Sequence, residues 1–306
     1  MKSVVAAAVA ASLMMSAQDS RFRSGVDAVR VDALVVDGRR PVAGLTAEDF
    51  ELRDTGVLQA IDSVALADVP ISVMVLLDVS TSVSGSTLDR LKEGVGAALA
   101  ALEPRDRAAL ITFSSDLRLR ADWSGDIASV NGALKTLQGA GGTSLLDGVF
   151  AGLTFGDPTA TVRRLLLVFS DGEDTSSWLP HGAVIDKARR TDSVVYSVTM
   201  RGSPWSRRAG QPLLFRSGIE LSPRDRVVWT ESPFLDEIAD ATGGTAFTTK
   251  DPGELRGAFT RILTEFRTRY LITYTPQGVD RAGWHPIEVK LKTSKGKVTA
   301  RRGYLR

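Results

Sequence analysis

Cysteine is absent from all 306 residues, which rules out disulfide cross-links, thiolate metal sites and cysteine nucleophiles together. Histidine is scarce: His181 and His285 stand far apart, with no second nitrogen at ligand spacing, so a zinc site is not expected. Past the first residues no apolar run reaches the length of a membrane-spanning helix. The glycine-rich turn Gly139-Ala140-Gly141-Gly142-Thr143-Ser144 follows no strand and contains no Gly-Lys-Ser or Gly-Lys-Thr, which excludes a phosphate loop and a dinucleotide fingerprint. No Gly-x-Ser-x-Gly elbow accompanies His181, so a Ser-His-Asp hydrolase is not indicated.

Charge of one sign is lacking only on average. The net charge is +2, yet from Lys250 onward 13 Lys and Arg face 5 Asp and Glu. No nucleic-acid recognition motif accompanies that basic end, which reads as strands with basic, solvated outer faces. An apolar content of 43% with 24% charged residues is that of a soluble globular protein. The length suits one α/β domain plus something smaller. Met1 to Ala17 reads as a secretory signal: Lys2 is followed by the apolar Val4 to Met15 and a small-residue end. Export to the periplasm or medium is therefore expected, with no membrane span in the mature chain and no cysteine to carry a lipid.

The stretch Ile71 to Ser82, ISVMVLLDVSTS, organises the rest. Its unbroken apolar run, preceded by Pro70, predicts a parallel strand buried on both faces. Asp78, Ser80 and Ser82 then fall just past the strand's carboxyl end, where open α/β sheets bind ligands. A spacing of i, i+2, i+4 in a still-extended backbone aims all three oxygens one way. One carboxylate and two hydroxyls make a hard, weakly charged, oxygen-only cluster suited to a small cation such as Mg²⁺.

Around this strand the pattern is regular. Period-two segments at Ala28–Val36, Phe50–Arg53 and Gln59–Leu66 predict short antiparallel strands, with a Thr-capped turn at residues 46–49. Helical spacing marks Thr87–Leu102, with a cap at Ser84-Gly85-Ser86, then Asp126–Leu137, a segment ending at Phe155, His181–Arg190, Phe234–Thr242 and Pro252–Arg269. Strands are predicted at Arg107–Ser114, Leu117–Trp123 as an antiparallel edge, Arg163–Ser170, Ser193–Met200 and Thr245–Thr249. Residues 201–231 interrupt this alternation and interleave Trp205, Phe215 and Trp229 with arginines, including the pair Arg207-Arg208. Period-two segments return at Tyr270–Thr275, Trp284–Thr293 and Lys297–Arg302. Neither end can form a core alone, so the two ends are predicted to pair into one antiparallel module with the α/β domain between them.

Asp78-Val79-Ser80-Thr81-Ser82, Gly141-Gly142-Thr143 and Asp171-Gly172-Glu173-Asp174 occur in that order after the expected elements. In this the chain resembles von Willebrand factor type A domains and their metal-ion-dependent adhesion site. Arg40 to Phe50 and Ala300 to Tyr304 are similar to a bacterial exported subfamily of such proteins. The resemblance implies a Rossmann-like fold, doubly wound around a mostly parallel six-stranded sheet with helices on both faces. The domain would span 69–269, with the β module contributed by 25–68 and 270–306.

By the same resemblance the ligands are Asp78, Ser80, Ser82, Thr143 and Asp171, holding Mg²⁺ or in its place Mn²⁺ or Ca²⁺. The ion would bind an Asp or Glu carboxylate of a partner protein. Trp205, Arg207, Arg208 and Glu173 are candidate partner contacts, the arginines favouring an acidic partner. Two alternatives stand beside this non-enzymatic binding module: a metal-free scaffold of the same fold, and a Mg²⁺-dependent hydrolase. Against the second, a phosphatase with an aspartyl nucleophile at Asp78 needs a carboxylate where this chain has Ser80.

Overall fold

The computed structural model describes residues 28–38, 40–66, 69–158, 163–200, 232–249, 253–292 and 296–306. The expected signal and the 201–231 segment, with Trp205, Arg207 and Arg208, lie outside the described residues. The described residues open with strands β1 (Val29–Asp37), β2 (Arg40–Pro41), β3 (Phe50–Asp54), β4 (Val57–Gln59) and β5 (Ile61–Leu66). An alternating stretch follows: β6 (Ile71–Asp78), α1 (Ser86–Ala100), β7 (Arg107–Phe113), β8 (Leu117–Ser124), α2 (Ile127–Lys135), α3 (Leu145–Thr154) and β9 (Arg163–Ser170). It continues through α4 (His181–Arg189), β10 (Val194–Met200), α5 (Pro233–Thr242), β11 (Ala246–Thr249) and α6 (Gly253–Arg267). Strands β12 (Tyr270–Tyr274), β13 (Trp284–Leu291), β14 (Lys297–Thr299) and β15 (Gly303–Leu305) end the chain.

The central sheet has six strands in the order β11-β10-β9-β6-β7-β8. All its neighbours run parallel except β8, which returns antiparallel on β7. Every residue of β6 is buried, as an apolar run flanked by parallel neighbours requires. Its side chains divide by the period of two: Ile71, Val73, Val75 and Leu77 pack with α1, α2 and α6, while Met74 and Leu76 pack with α3, α4 and α5. Each such side chain contributes about 1.5–3 kcal/mol by leaving water. Among the described residues no helix is long and apolar enough to cross a membrane.

Strand order reverses between β6 and β9, which lie side by side although α1, two strands and two further helices separate them in the chain. This is the switch point at which α/β sheets open a crevice beyond their carboxyl ends. Asp78 closes β6 and Ser170 closes β9 there.

Local details correct two sequence expectations. Asp78 is still a strand residue, but the backbone turns after Ser80 into a 3-10 helix over Thr81–Val83, so Ser82 reaches the site through a turn and not along an extended chain. Helix α1 is entered through Gly85 at φ 65, with no serine side chain capping it; the left-handed conformation accounts for the glycine.

The two chain ends combine as expected, and they do so in two sheets. Strands β14-β1-β12-β5 form one, with β2 on β1, and β15-β13-β3-β4 form the other. Val31, Phe50 and Leu52 share a core with Tyr270, Ile272, Ile287 and Tyr304. At its centre the buried Asp54 carboxylate accepts hydrogen bonds from Tyr274 Oη at 2.9 Å and Tyr304 Oη at 3.0 Å, and contacts His285 Nδ1 at 3.0 Å. The module docks on the amino end of the central sheet, opposite the switch point. Asp32 of β1 pairs with Arg163 at the start of β9. Arg301 reaches Asp192 and the carbonyl of Arg189, and Arg302 pairs with Asp240.

Candidate functional site

Three loops meet at the switch point, and backbone hydrogen bonds stitch them together. The loop after β6 is tied to the glycine-rich turn by Thr81 N and Thr81 Oγ1 donating to Gly141 O at 3.0 and 2.9 Å, and by Ala140 N donating to Val79 O at 2.8 Å. The turn is tied in its turn to the loop after β9: Thr175 N and Ser176 N both donate to Thr143 O, at 2.8 and 3.0 Å. Thr143 N donates to Thr175 Oγ1 at 2.9 Å. The glycine-rich turn therefore bridges the other two loops, through Ala140 and Gly141 on one side and Thr143 on the other. A Cβ at 142 would stand 2.2 Å from Ser176 Oγ, so a larger residue there would have to displace that hydroxyl.

Asp78 is fully buried, and Ser80 and Thr143 nearly so. Asp78 Oδ1 accepts from Ser80 N at 2.8 Å and Oδ2 accepts from Ser170 Oγ at 2.8 Å. Ser80 Oγ and Ser82 Oγ lie 3.0 Å apart. Asp171 is half-buried and accepts from Glu173 N at 3.2 Å, while Glu173 itself is exposed. Asp174 accepts from Leu145 N at 2.8 Å and Leu146 N at 3.3 Å, satisfying the first turn of α3. Asp147 accepts from Trp178 N and Leu179 N at 2.9 Å each, which fixes the far end of the same loop.

Burial pushes the Asp78 carboxyl up to about 6 from its ordinary 3.8; hydrogen bonds from Ser80 and Ser170 oppose the rise, and the negative charge of Asp171 adds to it. No basic group among the described residues enters that balance. Nor do three His, Asp or Glu side chains cluster among the described residues as a metal site, so hydroxyls must complete any ligand set here. The donor chemistry fits a hard cation: two carboxylates and three hydroxyls are all oxygen.

Residues 73–173 match the family model described as the von Willebrand factor type A domain. That span begins inside β6, ends at Glu173 and takes in all three loops. The chain carries a von Willebrand factor type A domain. Two solved structures are similar to it in fold. One is an aerotolerance-related membrane protein from Bacteroides fragilis bearing multiple serine mutations, at 19% identity over 64% of this chain and 98% of that one, with a TM-score of 0.50. The other is a von Willebrand factor type A protein from Catenulispora acidiphila, at 14% identity over 89% of this chain and 76% of that one, with a TM-score of 0.51. No curated relative matches the sequence.

Within the type A domain the structure gathers Asp78, Ser80 and Ser82 in one loop and brings the loops of Thr143 and Asp171 against it. Sequence reading passed over Ser170, whose hydroxyl holds Asp78. The signal available was a single hydroxyl ending the apolar strand RRLLLVFS directly before Asp171.

Proposed function

We propose that the type A domain is a protein-binding module that captures an acidic side chain of a partner through a divalent cation, Mg²⁺ in the first place with Mn²⁺ or Ca²⁺ as substitutes. The observation that carries this is Asp78: a fully buried carboxylate, near a second carboxylate at Asp171, with hydroxyls and backbone amides around it and no basic partner among the described residues. A buried charge without a counter-charge is costly, and a cation removes that cost. The ligands would be Asp78, Ser80, Ser82, Thr143 and Asp171. The Ser80 to Ser82 hydroxyl separation of 3.0 Å equals the edge of an octahedron with Mg²⁺ to oxygen bonds of about 2.1 Å.

Two carboxylates at most neutralise the ion, and hydroxyls add no charge. The bound cation keeps affinity for an outside carboxylate. The binding reading is preferred to hydrolysis because neither histidine serves the site: His181 contacts Glu237 at 3.1 Å, and His285 is buried in the β module. The amino-terminal signal pattern supports an exported setting for this interaction.

The test is thermal melting of the purified protein in chelator and across a MgCl₂ or MnCl₂ titration. Wild type should gain stability and saturate, by about 2.7 kcal/mol at a hundred times the dissociation constant. Asp171→Ala should show no gain. An identical response in both, or none in either, overturns the proposal, and the latter outcome leaves a metal-free scaffold.

A further inference from the structure

We infer that Ser170 is a positioning residue for the cation site, fixing the Asp78 carboxylate and tying it to the loop of Asp171; this rests on the metal reading above. Asp78 Oδ1 is held from within its own loop by Ser80 N, but Oδ2 is held across the switch point by Ser170 Oγ at 2.8 Å. Ser170 is buried at the end of β9, and its oxygen in turn accepts Gly172 N at 3.1 Å. The hydroxyl has one proton, and it is committed to Asp78.

A relay therefore runs from the Gly172 amide through the Ser170 hydroxyl to the Asp78 carboxylate, and Asp171 stands in the chain between the two residues, Ser170 and Gly172, that form its first link. The turn that delivers the Gly172 amide has a defined shape. Gly172 sits at φ 87, and a Cβ there would stand 2.7 Å from Ser232 Cβ, so another residue is disfavoured by backbone and by space. Two donors from different chain segments, one on each oxygen, fix the plane of the carboxylate. Groups that orient a metal ligand in this way change metal affinity by about 10–100-fold when removed. Without the Ser170 hydroxyl, Asp78 Oδ2 loses its only side-chain donor from outside its own loop among the described residues.

The experiment is a Mg²⁺ titration of the full chain, read by the thermal shift and checked by calorimetry with Mg²⁺ alone, for wild type, Ser170→Ala, Ser170→Thr and Ser197→Ala. Ser197 is a fully buried strand serine whose hydroxyl has no hydrogen-bond partner among the described residues, so its variant reports the cost of altering a buried serine away from the site. Ser170→Ala should move the Mg²⁺ midpoint up by about 10–100-fold, Ser170→Thr should recover most of that change, and Ser197→Ala should leave the midpoint unmoved. A midpoint for Ser170→Ala within twofold of a responsive wild type overturns the assignment while the metal reading stands. A threonine variant that folds and binds as weakly as alanine overturns it as well; if threonine does not fold, alanine against Ser197→Ala decides. A wild type that does not respond to Mg²⁺ overturns both readings.

Discussion

Replacing Asp78 by asparagine is expected to stabilise the protein when no metal is present. Folding moves this carboxylate from water to a fully buried position, and its protonation midpoint rises from 3.8 to about 6. A difference of that size corresponds to about 3 kcal/mol between the charge states. At pH 7.5 the native protein still carries the charge and bears the whole of that penalty. Asparagine has no charge to desolvate. Its carbonyl oxygen can keep the Ser80 amide, and its NH₂ can face the Ser170 oxygen in place of the present bond. Stabilisation of about 1–3 kcal/mol should result in chelator, measured by urea unfolding.

The pH dependence has a definite sign. A carboxyl whose native midpoint lies above its unfolded one keeps more protons in the native state between the two. Its favourable contribution is fully present below about 3.8 and is lost as pH rises through about 6. The stability advantage of Asp78→Asn should therefore be small near pH 4 and open between pH 4 and 7. With saturating Mg²⁺ the order should reverse, because only wild type gains. A variant less stable than wild type at pH 7.5 in chelator, or an advantage that does not vary with pH, refutes the reasoning.

Two further perturbations probe the frame. Asp54→Ala leaves the Tyr274 and Tyr304 hydroxyls and His285 Nδ1 buried without their shared acceptor; at about 1–3 kcal/mol for each orphaned group, urea unfolding should show a loss of at least about 3 kcal/mol, and a loss under about 1 kcal/mol contradicts the picture. Asp54 also helps hold the Tyr304 hydroxyl up at about 12, behind burial as the larger cause, so ultraviolet titration of any folded variant should show Tyr304 ionising at lower pH. Gly94→Ala should destabilise by about 1–3 kcal/mol through overpacking, although alanine ordinarily favours a helix by about 1 kcal/mol. A Cβ at 94 would stand 2.8 Å from Phe259 and 3.1 Å from Leu255, where α1 meets α6; a more stable variant would show that these helices separate readily.

Much of the architecture is legible in local pattern. The unbroken apolar runs of β6 and β9 announce strands buried on both faces, and the helical spacing of Leu88, Leu91, Val95 and Leu99 announces the buried side of α1. The pairing of the chain's two ends follows from their period of two and their individual insufficiency. Less legible are features fixed by contact between distant segments. Ser82 looked collinear with Asp78 and Ser80, yet the chain bends into a 3-10 turn where the glycine-rich loop captures the Thr81 amide and hydroxyl. Asp54 and His285 gave no sign of being neighbours across 231 positions.

The order of residues along the chain determined which segments bury which faces, because periodicity is a property of neighbours in sequence. It also determined the kind of donors at the strand ends: carboxylates and hydroxyls, with no thiol and no imidazole. The tertiary structure alone decided that β6 and β9 stand side by side, that Ser170 reaches Asp78, and that Asp78 loses its water without gaining a basic partner among the described residues. Those are consequences of strand order and burial, which depend on how all the segments pack at once, and no local window of sequence contains them.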